Sequence, residues 1–401
     1  MRRELSWLCG CGLVWLVFGT LLLTLDVGPI KNFAFVDFYD YYFAADAVSS
    51  GVSPYDASWA LTQAQAAGVP TLTGSPFIYP AWFAATLRPL LLLPPLAAAV
   101  VAFLLSGAVG IAAAKKLLQD RHPAWLMAVV LFPPALFTLF VGQINLVLFA
   151  LLIVAWAWRE ERPLVSGASL GFAIALKLAP IVLLAPLLRA GRWKNLGAVG
   201  VTIALCMVVG ELAVPGSTHT YLFTVLPKVT NLTSFHGHPV NQGASALLVR
   251  TFIETQWSTP VSVLSIDGVR IINTGLTAVL IAIATTRSWC RKTVEEALDW
   301  SAFIALFLII SPLAWESLLV LLLLPFALLW RERPRLAWVL GLCWVLAALP
   351  RLLNDFAHNP EDYPLLLRCP PLASMGLVSS AIIFIVALWP RRAIQYANDP
   401  R

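Results

Sequence analysis

Charged side chains are scarce in this chain: 12% of its 401 residues are Asp, Glu, Lys or Arg, against 59% hydrophobic. Soluble domains carry roughly a quarter charged residues, and the mean hydropathy of +0.81 excludes a soluble core. Ligands for a metal framework are equally sparse. The cysteines show no C-x-x-C pair, and Cys9, Cys11, Cys206 and Cys343 lie in apolar runs, so they read as small fillers. No basic stripe with interleaved aromatics is present, which argues against a nucleic-acid partner. No internal repeat of the kind that many transporters carry is evident. The apolar run Leu5 to Leu25 lacks a small-residue cleavage site and reads as an uncleaved first span.

Long apolar runs dominate instead. They fall at about 5–25, 82–113, 124–141, 143–158, 164–177, 179–190, 196–214, 269–287, 299–313, 315–330, 336–350 and 372–389, about twelve segments near the ~20 residues a bilayer-crossing helix needs. The pairs 164–190 and 299–330 each break at a proline, at Lys177-Leu178-Ala179-Pro180 and Ser311-Pro312, and read as hairpins of short helices. With the N-terminus in the cytoplasm, most of the 27 Lys and Arg residues fall in short inner loops, as the positive-inside rule requires. The outer side keeps Lys31, Arg88, Lys177, Lys228, Arg250, Arg270, Arg351 and Arg368. A straight 164–190 span would put every later basic loop outside. The long connections 26–81, 215–268 and 351–371 then lie outside, with amphipathic stretches such as Ala57–Ala67 suited to the membrane surface.

The residues able to do chemistry gather on that outer side. Asp37 follows the first span in Asp37-Phe38-Tyr39-Asp40-Tyr41-Tyr42. A carboxylate there can serve as a general base or cap a helix N-terminus. Asp40 and Asp46 read as solvated or capping groups. Tyr41 and Tyr42 suit an interfacial belt or a sugar-stacking surface. Gly142-Gln143-Ile144-Asn145 is either a capped helix break or a pair of amides facing a cavity. Lys177 stands at the tip of a hairpin whose fourteen-residue arm rises about 21 Å, short of a hydrocarbon core of about 30 Å. At that depth a lysine either snorkels or faces water or an anion. His236-Gly237-His238-Pro239-Val240-Asn241-Gln242-Gly243, followed by Arg250, is the densest polar stretch of the second outer loop. No carboxylate is spaced to complete a metal site with its histidines. Glu316 is expected to be paired or to line a cavity, and the last outer loop adds Arg351, Asn354, Asp355, His358 and Arg368. This set suits a substrate with a lipid tail, an anionic phosphate and a polyhydroxylated head.

The order of these motifs resembles glycosyltransferase family 87, the polyprenyl-phosphate-mannose-dependent mannosyltransferases. Asp37 through Tyr42 with Gly51…Pro54-Tyr55-Asp56 is similar to its first-loop pattern, and Phe77-Ile78-Tyr79-Pro80 to its aromatic-Tyr-Pro element. Gly142-Gln143-Ile144-Asn145, Lys177…Pro180, Asn241-Gln242-Gly243…Arg250 and Ser311-Pro312-Leu313-Ala314-Trp315-Glu316 resemble four further elements, so the likeness covers about residues 1–330. A His-His pair commonly follows the last element in the family; here those positions are Ser317 and Leu318. The resemblance implies an all-α, polytopic GT-C fold in one membrane domain, with residues 331–401 as C-terminal spans and a short tail. It implies inverting transfer of a hexose, mannose in the family, from a polyprenyl-phosphate sugar to a lipid or glycan acceptor, without metal or cofactor. Asp37 would be the base. Lys177, Arg351 and Arg250 would hold the donor phosphate. Tyr41, Tyr42, Tyr79, Gln143, Asn145, His236, His238, Asn241, Gln242 and Glu316 would bind substrate. The expected location is the cell membrane, with both termini cytoplasmic and the site facing the periplasm or exterior. The competing expectation is a membrane transporter or lipid flippase.

Overall fold

Prolines decide where the apolar runs become separate helices. A computed structural model describes residues 10–20, 34–69, 77–118, 125–353 and 369–389, with side chains described as far as 350 in the fourth of these segments. It is all-helical, without a strand among the described residues. The principal helices are α1 (Gly10–Thr20), α2 (Val36–Ser49), α3 (Ala57–Ala67), α4 (Pro95–Leu117), α5 (Pro133–Val141), α6 (Asn145–Ala157), α7 (Pro163–Leu176), α8 (Trp193–Ala213), α9 (Ala244–Phe252), α10 (Ile266–Trp289), α11 (Glu296–Ile310), α12 (Leu323–Glu332), α13 (Ala337–Leu353) and α14 (Met375–Leu388).

Three of them, α4, α8 and α10, are long and apolar enough to cross a membrane by length and composition. Several others are shorter than the runs they came from. The 82–113 run divides into Ala81–Thr86, a 3-10 turn at Arg88–Leu92, and α4, because Pro89, Pro94 and Pro95 cannot donate to a continuous ladder. Pro133 and Pro134 likewise separate Trp125–Val130 from α5. The stretch Ala57–Ala67 is the expected helix, started by the Asp56 carboxylate, which accepts from the N–H groups of Ser58 and Trp59. Asp46, half-buried near the end of α2, accepts the Trp59 indole N–H at 3.0 Å.

Both short pairs fold back on themselves. Arg192, beyond the first pair, reaches Glu160, before it, at 2.7 Å. The tip at Lys177 therefore lies at the far end from both. The arm α7 packs on α8 backbone to backbone: a Cβ on Gly167 would sit 2.2 Å from the Asn195 carbonyl oxygen, and one on Gly171 2.7 Å from Thr202 Cβ. This small-xxx-small spacing allows helices to approach closely where lipid leaves no hydrophobic drive between them. The first arm of the second pair, α11, is buried from Leu298 to Ile309 and is apolar on every side but for Asp299 and Ser301, as an interior helix is.

A buried ion cluster ties the bases of the two hairpins together. Asp299, 1% exposed, accepts from Arg189 at 2.5 Å and from Arg291 at 2.9 Å. Arg291 also donates to the Ala387 carbonyl at the end of α14, and Glu296 joins Arg159 and Arg192, both at 2.6 Å. Removing one partner of such a pair leaves a buried charge uncompensated. Asp299→Ala is therefore expected to destabilise the fold by about 3–5 kcal/mol, read as a lower unfolding midpoint of purified protein in detergent; an unchanged midpoint would contradict the clamp.

A carboxylate, amide and ammonium cluster at the candidate active site

The site begins with a turn that only glycine can make. α5 ends at Gly142 with φ of 73°, a left-handed conformation natural to glycine. A Cβ there would also lie 2.6 Å from Phe38 Cβ. The start of α2 thus rests directly on the turn, and Phe35 N–H donates to the Phe140 carbonyl at 2.8 Å. Two distant stretches of sequence, 35–38 and 140–143, are fixed against each other.

This contact puts Asp37 beside Gln143. The N-cap of α2 is Phe35, at φ 60° and without a side-chain cap, so Asp37 sits one position inside the helix and does not cap it. Its carboxylate instead lies near enough to the Gln143 side chain and the Lys177 ammonium for both to lower its pKa. Gln143 is oriented by two phenols: Tyr41 donates to its Oε1 at 2.9 Å and Tyr79 at 3.2 Å. With its oxygen committed to them, its NH2 is the end that serves Asp37. Tyr41 and Tyr79 are buried, their ring centroids 5.1 Å apart, and burial raises both phenols so that they remain neutral donors.

Lys177 arrives from the first hairpin tip. α7 stops at Leu176, and Lys177 is extended, with φ −135° and ψ 119°, before the turn Ala179–Leu183. Its Nζ donates to Asn145 Oδ1 at 2.8 Å and lies 5.7 Å from the centre of the Tyr79 ring. Asn145 Nδ2 in turn donates to Ser317 Oγ at 3.0 Å, and Thr138 Oγ1 shares its proton between the Pro134 carbonyl at 2.8 Å and the Ser317 carbonyl at 3.0 Å. Asn145 and Ser317 are each 1% exposed. Asp37, Gln143 and Lys177 keep partly open side chains. The accessible face is thus a carboxylate, an amide and an ammonium, with phenols, amide and hydroxyl behind.

Burial raises the Asp37 pKa to about 6, and the Gln143 hydrogen bond and the Lys177 charge oppose that rise. The result suits proton abstraction near neutral pH, because a base works best with a pKa near the operating pH. An apolar cavity of about 220 Å³ adjoins the cluster, lined by Trp82, Ile174, Leu178, Ile181, Ile203 and Met207 among others. Leu178 and Pro80, both on its wall, are the chain neighbours of Lys177 and Tyr79.

The connection between α8 and α10 forms a different structure. Asn241, Gln242 and Arg250 are 0%, 1% and 0% exposed. Asn241 Nδ2 donates to the carbonyls of His236 and Pro312, and its Oδ1 accepts from the N–H groups of Gly243 and Ala314. Gln242 Nε2 donates to the Pro239 and Ala373 carbonyls, and its Oε1 accepts from Gly376 N–H. Arg250 donates to the carbonyls of His238 and Asn241 and to Ser374 Oγ. These three side chains hold loops together and are buried, where substrate or phosphate contact was expected of them. The physical reason is the backbone of three proline-containing loops, whose N–H and C=O groups lack ladder partners and must be satisfied by side chains.

The remaining expected residues divide similarly. His236 is buried, its Nδ1 accepting from Thr233 N–H. His238 is half-buried against Trp257 and Trp315, with ring centroids 4.7 and 5.7 Å away. Burial, with the Arg250 charge, lowers its pKa to about 4, so the imidazole is neutral. Tyr42 turns away and donates to the Leu93 carbonyl at 2.9 Å. Glu316 is buried next to Ser317 in the chain. Arg351 falls in the last turn of α13 with its side chain outside the described residues, as are Asn354, Asp355, His358 and Arg368. Ser317 and Thr138 were not among the expected site residues. Neither type nor spacing marks them; for Ser317 the one available signal was its place directly after the Trp315-Glu316 element.

Comparison with known proteins places this geometry in a family. The family model of glycosyltransferase family 87 matches residues 77–312. The match includes Tyr79, Gln143, Asn145 and Lys177; Asp37 precedes it and Ser317 follows it. No curated protein matches the chain. Since the match takes in more than half of the sequence, the chain belongs to glycosyltransferase family 87 and is a membrane glycosyltransferase.

Proposed function

We propose that the protein transfers a hexose, mannose by its family resemblance, from a polyprenyl-phosphate donor to a hydroxyl of a lipid or glycan acceptor, on the non-cytoplasmic face of the cell membrane, without metal. The observation that carries this reading is the Asp37 carboxylate at the open face of the cluster, near enough to Gln143 and Lys177 for both to act on it. The apolar cavity beside Lys177 supports a donor with a hydrocarbon tail, because an apolar wall next to a cation matches an isoprenoid phosphate.

In this mechanism the donor phosphate lies against the Lys177 ammonium and its tail against the cavity. Asp37 takes the proton of the acceptor hydroxyl as that oxygen attacks the anomeric carbon on the side opposite the phosphate. The new carbon–oxygen bond forms, the anomeric carbon–oxygen bond to phosphate breaks, and the configuration inverts. The leaving phosphate gains charge in the transition state, and a preorganised cation facing it stabilises that charge without reorganising. Donor binding also strengthens the base. While Lys177 acts on Asp37 alone it lowers the carboxylate pKa; an incoming phosphate offsets that charge and lets the pKa rise.

Three outcomes are expected of purified protein assayed with polyprenyl-phosphate sugars and a panel of lipid acceptors. Asp37→Asn, close in shape but not basic, loses about 10²–10⁴-fold in rate at an unchanged yield of folded protein; full activity would exclude Asp37 as base. The base works only when deprotonated, so kcat/KM falls about tenfold per unit below pH of about 6. A profile flat down to pH of about 4 would contradict a raised carboxylate pKa. Lys177→Gln removes the charge that opposes the rise, so its acid limb moves to higher pH and its donor KM increases. A limb that stays in place would separate Lys177 from Asp37.

A further inference from the structure

Lys177 has no helix to hold it. It stands in extended backbone past the end of α7, on a side chain with four rotatable carbons. Its position therefore depends on what its ammonium touches. The short contact is to Asn145 Oδ1, at 2.8 Å.

The amide of Asn145 has two unlike ends. An ammonium only donates, so the amide oxygen must face Lys177 and the NH2 must face away. In a site 1% exposed that NH2 needs an acceptor, because a buried donor left unmade is costly. Ser317 Oγ is that acceptor, at 3.0 Å. Ser317 is itself fixed: it opens the buried 3-10 turn Glu316–Leu322 as its second residue, and its carbonyl accepts from Thr138. A continuous chain of contacts thus runs from the second hairpin through the 142–145 turn to the tip of the first hairpin.

We propose that Ser317 is a positioning residue for sugar transfer: by accepting the Asn145 NH2 it locks the amide oxygen against Lys177, and so sets where the ammonium stands relative to Asp37 and the donor phosphate. Ser317 touches neither the carboxylate nor the substrate; it acts through Asn145. The inference rests on the transfer chemistry proposed above.

Coupling separates positioning from mere packing. Ser317→Ala leaves the Asn145 NH2 without its acceptor and is expected to lower kcat/KM for transfer about tenfold. Asn145→Ala cuts the relay one link later. The double variant is expected to be no slower than Asn145→Ala alone, since both remove the same link. The acid limb of the Ser317→Ala profile is expected to move to higher pH, because a displaced Lys177 opposes the Asp37 rise less. The groups facing Asp37 are Gln143 and Lys177, with the Tyr41 and Tyr79 phenols behind Gln143, and Lys177 is the charged one among them. Ser317→Thr, which keeps the hydroxyl, is expected to restore the wild-type limb. Should Ser317→Ala fail to accumulate as folded protein, Ser317→Cys, a weak acceptor of similar volume, is read in the same cycle and is expected to show a smaller loss with the same coupling. Additive losses with an unmoved limb, while Asp37→Asn is inactive, would overturn the positioning role and leave the transfer reading standing. Wild-type rates from Asp37→Asn would overturn the transfer reading itself.

Discussion

An ammonium placed at the tip of a short hairpin sets the conditions for everything around it. Lys177 lies among apolar helices, where a lone cation is expensive. It is tolerated because Asn145 accepts from it and the Asp37 charge acts on it. Those two partners come from different parts of the chain, so the cation is accommodated only if α2 and the 142–145 turn both reach it. The left-handed Gly142 and its contact with Phe38 make that meeting possible. The aromatic pair Tyr41 and Tyr79 then orients Gln143, which completes the shell on the Asp37 side.

The rest of the fold keeps this meeting point in register. At the far end, Asp299 and Glu296 bind arginines from three separate segments, so the hairpin bases cannot slide apart. Gly167 and Gly171 let α7 lie against α8 at backbone distance, which steadies the arm carrying Lys177. On the other side, Asn241, Gln242 and Arg250 satisfy the main chain of the loops at 236–243, 311–316 and 370–376. The second hairpin tip, and with it Ser317, is therefore held from both flanks. Polar residues of two kinds share one face: a partly open group that can meet substrate, and a fully buried group that builds the walls.

The hairpins were legible in the sequence because three independent constraints converge there: arms too short to span, prolines at the breaks, and basic loops that would change sides otherwise. The contacts of α7 with α8 were less so, since Gly167 and Gly171 are ordinary glycines until a neighbouring backbone is placed against them. Asp37 shows the limit of local reading. Spacing allowed a cap or a base, and Phe35 removes the cap by taking that position in a left-handed conformation that no pattern foretells for phenylalanine. Asn241 and Arg250 show the opposite limit. Their residue types suit substrate equally well, and only the carbonyls they meet, contributed by chain up to 71 residues away, reveal that they serve the fold. Ser317 combined both difficulties, being a common residue whose partner is 172 positions distant.

The central claim is that Asp37 and Lys177 flank one reacting centre. A structure of the purified protein with a non-hydrolysable polyprenyl-phosphonate sugar bound tests it most directly. The account predicts the phosphonate within hydrogen-bond distance of Lys177 Nζ, the isoprenoid chain along Trp82, Ile174 and Leu178, and the Asp37 carboxylate on the opposite side of the anomeric carbon. A phosphonate seated away from Lys177, with Asp37 facing no sugar carbon, would contradict it.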